Sequence, residues 1–155
     1  MGAVRGTLAV VLAFLLQRGL LAWFPVWGVS PWLLPSVVCL LGLFQGADRG
    51  AGYGLLGGFL CLFSGASPWV LALLPLAGGV AGAVFPRRRG FWGNWLRTGA
   101  VLAGWEILLV LGHWLTGSAL TACLRIAGPE HLLSAALFPL AALLVGGEKK
   151  RTQGF

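Results

Sequence analysis

Apolar residues along this chain come in long unbroken stretches, separated by short polar segments, and show no alternation of the kind a half-buried strand needs. Six such runs can be drawn, over residues 7–24, 31–45, 51–63, 68–85, 98–115 and 132–147. A helix in lipid pairs its backbone groups internally and presents apolar side chains outward, so runs of this kind suit a bilayer. The pattern predicts an all-α membrane protein: one integral domain over residues 1–155, built as a bundle of six transmembrane helices. Runs two and three are short. At 1.5 Å per residue, 15 residues reach about 22 Å, less than the roughly 30 Å hydrocarbon core. They must thin the bilayer, extend into their flanks or form a re-entrant hairpin. The stretch 116–131 is too polar to span, carries a Gly128-Pro129 turn signal, and contains a mostly apolar piece, 119–127 around Arg125, suited to the membrane surface.

Charge orients the bundle. Nine of the eleven Lys and Arg residues, Arg5, Arg49, Arg87, Arg88, Arg89, Arg97, Lys149, Lys150 and Arg151, fall at the N-terminus, in the second and fourth loops and in the tail. The first, third and fifth loops hold only Arg125. Short basic loops stay cytoplasmic, which places both termini inside. The chain is 58% hydrophobic and 10% charged, with a mean hydropathy of +0.89; soluble domains carry about 25% charged residues. A net charge of +7 therefore speaks for topology and anionic lipid, not for nucleic acid. The basic-then-apolar N-terminus lacks a small-x-small cleavage site and reads as an uncleaved first span.

Glycine marks the helix contacts. Gly42, Gly46, Gly50, Gly54 and Gly58 recur every four residues, and Gly78 and Gly82 repeat the spacing in run four. In lipid, apolar burial does not drive helices together, and a small-residue stripe lets backbones touch. The stripe predicts tight packing of runs two to four, or a surface for a partner's helix. Pro75 and Pro139 sit in similar contexts inside runs four and six, where a kink supported by neighbouring helices accounts for each.

Candidate chemistry is sparse. Arg18, Glu106 and His113 lie well inside predicted spans, and intramembrane ionisable groups usually face the bundle interior or a cavity. Gly99, Ala103, Glu106, Val110, His113 and Gly117 share one helical face. Three roles fit that face: a structural polar pair, for instance Glu106 with Arg18; contact with a partner subunit; or a substrate, ion or proton site. Arg18 also has the option of snorkelling to the nearer interface. The stretch 87–97, with Arg87, Arg88, Arg89 and Arg97 around Trp92 and Trp95, has the character of an interfacial cytoplasmic loop that also suits an acidic protein partner. Cys39, Cys61 and Cys123 are far apart and lack metal or disulfide spacing. No phosphate loop, zinc signature or nucleophile–base arrangement occurs, so neither enzymatic chemistry nor a cofactor is expected.

The order of several stretches resembles the MreD family, the small multi-span subunits of the bacterial rod-shape machinery. They are Leu15-Leu16-Gln17 late in the first run, Pro31-Trp32-Leu33-Leu34-Pro35 opening the second, the Gly-rich Arg49-Gly50-Ala51-Gly52-Tyr53-Gly54-Leu55-Leu56-Gly57-Gly58-Phe59-Leu60, then Leu76-Ala77-Gly78-Gly79-Val80-Ala81-Gly82, and Trp105-Glu106-Ile107-Leu108-Leu109 in the fifth. The family often has an Asp near the end of the third span, where Cys61-Leu62-Phe63 here are uncharged. The resemblance implies a scaffold without enzymatic activity. It would bind the single-span protein MreC and, through it or directly, the actin-like MreB filament and the peptidoglycan synthase pair. The S components of energy-coupling-factor vitamin transporters are similar in outline. Such a component needs polar groups converging on an outer cavity, for which Arg125, His113, Glu130, His131 and Trp rings are on offer. An oligomeric channel would need a polar ring from Glu106 and His113.

Overall fold

A computed structural model describes residues 2–23, 25, 28–85 and 91–145 of the chain. Among them are seven α-helices and no strand: α1 (Ala3–Gly19), α2 (Leu34–Gln45), α3 (Ala47–Phe63), α4 (Pro68–Val84), α5 (Phe91–Leu115), α6 (Leu120–Ala136) and α7 (Phe138–Val145), with a 3-10 turn at Leu21–Trp23. The segment from Ala3 to Trp23 and helix α5 are each long and apolar enough to cross a membrane, and α6 with α7, bent by 50° at their junction, make a third such span if taken together. Helices α2 and α4 are apolar but shorter.

Helix α2 is the centre. Every residue from Leu33 to Leu43 is buried, and α2 touches α1, α3, α4, α5 and α7. A helix apolar on all sides buries all sides. Its N-terminus would bring unpaired N–H groups into that interior. Gln17 of α1 resolves this: its side-chain oxygen accepts from the N–H of Leu33 at 3.1 Å and of Leu34 at 3.0 Å.

Gly46, at φ +96°, turns the chain between α2 and α3. The four-residue glycine repeat is therefore not one stripe along one helix. It folds back on itself, so that Gly42 of α2 and Gly50 of α3 face each other and both abut the Gly78 carbonyl of α4. Farther along α3, a Cβ on Gly54 would lie 2.5 Å from Pro75 Cα and one on Gly58 2.9 Å from Leu71 Cα. Gly82 meets the start of α3 in the same way, 2.5 Å from Ala47 N. These glycines serve contacts among α2, α3 and α4, and α3 against α4 is the closest helix pair in the bundle.

Several boundaries differ from the apolar runs. Asp48 and Arg49 belong to the first turn of α3, because helix propagation tolerates charge at a solvated end. Residues 91–97, expected in an interfacial loop, form the first turns of α5. The chain does not turn at Gly128-Pro129: α6 runs through both. Proline's ring clashes partly with the preceding Cβ, and Gly128 has none. The break comes instead at Leu137, and Pro139 is the second residue of α7, where proline's fixed φ suits the first turn of a helix.

Candidate functional site

The helices alternate in direction, which sorts their ends. Tyr53 Oη donates to the Ala3 carbonyl (3.3 Å), and the Arg97 guanidinium lies 5.8 Å from the Phe85 ring centre. Arg5, Arg49 and Arg97 therefore share the end of the bundle that holds the Gly46 turn. Arg87, Arg88 and Arg89 lie outside the described residues.

At the opposite end is a cavity of about 550 Å³, within the usual range for small-molecule sites. Arg18 of α1, Trp32 ahead of α2, Glu106, Val110 and His113 of α5, and Glu130 of α6 all line it. Steps of four and three along α5 bring Glu106, Val110 and His113 to the same wall. The three intramembrane ionisable residues singled out from the sequence, Arg18, Glu106 and His113, thus converge on one space, although they come from two helices.

They do not pair as expected. Arg18 donates from one guanidinium nitrogen to the Ser64 carbonyl (2.9 Å) and to Ser64 Oγ, so it caps the C-terminal end of α3 and not Glu106. The physical reason is local. A helix C-terminus offers unpaired carbonyls and a partial negative charge, and Arg18 sits beside that end. Gly65, at φ +84°, closes the same end, with the Ala66 N–H returning to the Cys61 carbonyl at 3.0 Å.

Glu106 is 8% exposed. Its Oε2 lies 3.1 Å from His131 Nδ1, within ion-pair distance but without hydrogen-bond alignment. Glu130 is the neighbouring acid that bears on it electrostatically. Glu130 and His113, offered from the sequence for an outer cavity, do line one space here, whereas Arg125 and His131 are not on its wall and Gln17 carries no such signal. The spacing Cys123, Ile126, Ala127 and Glu130, one face of a helix carried through Pro129, is the signal that finds Glu130. Gln17 is found only by asking what pairs the N-terminal N–H groups of a buried helix.

A second depression of about 450 Å³ runs between α4 and α5, lined by apolar groups including Leu76, Ala77, Val80, Ala100, Gly104 and Ile107. A Cβ at Gly104 would meet open space, in contrast to one at Gly42, Gly50, Gly54, Gly58, Gly78 or Gly82. Among the described residues, no three His, Cys, Asp or Glu side chains converge as a metal site. No family model, curated protein or solved structure matches this chain.

Proposed function

We propose that the chain is a scaffold subunit of the bacterial rod-shape machinery, related to the MreD family and without catalytic activity. It crosses the plasma membrane six times, through α1, α2, α3, α4, α5 and the bent α6–α7 pair, with both termini in the cytoplasm. It binds an MreC-like single-span protein and connects the MreB filament to peptidoglycan synthesis. The observation that carries this reading is the apolar groove between α4 and α5. Ala77, Ala100 and Gly104 line it, and small residues let a partner's helix approach closely in lipid. The glycines that carry the resemblance support it from within, since Gly50, Gly54, Gly58, Gly78 and Gly82 all lie where backbones touch.

Purification of the tagged protein from its native membrane in mild detergent, followed by mass spectrometry, tests the reading. A single-span protein with an external coiled coil, or an actin-like filament protein, is expected to travel with it. Gly104→Trp is expected to lower recovery of that partner by about tenfold, equivalent to 1.4 kcal/mol, with no change in the melting temperature of the isolated subunit. Unchanged recovery removes the groove from the account.

The cavity at the other end favours a second reading, the substrate-binding component of an energy-coupling-factor transporter, because charged groups converge there on a space of ligand size. Recovery of an ATPase pair with a transmembrane coupling subunit, in place of a single-span partner, selects this reading over the first.

A further inference from the structure

We propose that the cavity between α1, α5 and α6 binds a small organic cation, with a primary ammonium group held between Glu106 and Glu130 and an apolar body against Trp32. The charges facing the cavity are unequal. Glu106 and Glu130 contribute two carboxyl groups from adjacent helices, and the one guanidinium on the wall, that of Arg18, is committed to Ser64 at the end of α3. His113 is the remaining titratable group on α5 that faces the space, and His131 approaches Glu106 without a hydrogen bond. Two acids in a low-dielectric site are costly unless a cation joins them.

The rest of the wall fits an apolar or aromatic body. Val70, Leu109, Val110 and Ile126 are apolar, and Trp32, stacked at 52° to Trp105 with ring centres 5.5 Å apart, offers an indole near the charged groups. An indole face attracts cations. An anionic ligand finds no uncommitted guanidinium on the wall to pair with, and a metal ion lacks a converging ligand set among the described residues. An ammonium group comes from two sources, a free amine or the headgroup of phosphatidylethanolamine. The inference does not depend on either reading of function, because it concerns what the isolated subunit binds.

Three indoles of similar size test it: tryptamine, a cation; tryptophol, which is neutral; and indole-3-propionate, an anion. Calorimetry on the full chain in phosphatidylglycerol nanodiscs is expected to show saturable tryptamine binding at least about tenfold tighter than either of the others. Glu106→Gln with Glu130→Gln is expected to abolish that preference, and Ala122→Trp, which fills the cavity from α6, is expected to remove binding of all three at an unchanged melting temperature. A tenfold loss of tryptamine affinity on adding phosphatidylethanolamine identifies the headgroup as the source, and an unchanged affinity identifies a free amine. Equal binding of the three indoles, no saturable tryptamine binding, or a preference that survives in the double Gln variant overturns the proposal.

Discussion

Gly78 sits where three backbones come together. A Cβ on Gly42 or on Gly50 would fall on the Gly78 carbonyl, and one on Gly78 would fall on the carbonyl of Gly50. Backbone cannot swing aside as a side chain does, so even a methyl group must push helices apart. Gly78→Ala is expected to destabilise the bundle by about 1–3 kcal/mol, the usual cost of overpacking. Gly79→Ala, one residue on, meets only ordinary contacts at 3.7 Å and beyond, and is expected to leave the melting temperature in detergent unchanged. Equal melting temperatures for the two variants contradict the three-backbone contact. The glycine spacing was legible in the sequence, because a residue without a side chain announces close approach. The turn between runs two and three was legible too; that Gly42 and Gly50 meet at one carbonyl of α4 was not, because a period of four does not say which residues face each other across a turn. Arg18 was hidden for a similar reason: backbone carbonyls at the end of α3 bind it, and no residue type signals them.

At the scale of elements, the junction of α6 and α7 shows how a helix breaks inside a bundle. Pro139 has no N–H, so the carbonyl four residues earlier, that of Ala135, loses its helical donor. Trp95 Nε1 of α5 donates to that carbonyl at 3.1 Å, and Ser36 Oγ of α2 reaches the neighbouring Ser134 carbonyl at 3.4 Å. Trp95 thus supplies a donor where proline removes one, as a bilayer interior requires, and Ser36 holds the adjacent carbonyl. Trp95→Phe keeps an aromatic ring but removes the side-chain donor to the Ala135 carbonyl. It is expected to cost about 1–3 kcal/mol and to speed hydrogen exchange in α7 in nanodiscs. Normal α7 protection in that variant removes the proposed role of Trp95. Pro75, in nearly the same local sequence, lies inside α4 with no break. Local sequence could not separate the two cases, since the difference lies in what packs alongside: the bare backbone of Gly54 at Pro75, and side-chain donors near Pro139.

Across the whole molecule, the short second run ceases to be a difficulty. Helix α2 has 12 residues, about 18 Å at 1.5 Å per residue, far less than a bilayer core. A lipid-facing helix of that length exposes its ends to hydrocarbon. This one is enclosed by α1, α3, α4, α5 and α7, and Gln17 pairs its first N–H groups. Mismatch therefore falls on its neighbours, among which α5 alone runs 25 residues, about 37 Å. The α2–α3 turn, the last residues of α4 and the first of α5 lie at the end with Arg5, Arg49 and Arg97, while the α3–α4 and α5–α6 connections lie at the cavity end. On the proposed orientation, with basic loops cytoplasmic, the cavity faces outward. A phosphatase reporter inserted at Ser118, between α5 and α6, is expected to be active outside the cell, and one fused after Arg151 to be inactive. Ser118 is the apt position because Gly128 lies within α6, where an insertion would break a helix rather than report on a loop. An active reporter after Arg151 reverses the orientation and turns the cavity toward the cytoplasm. Equal activity at both sites means that the bent α6–α7 pair, the segment between the two reporters, does not cross the membrane.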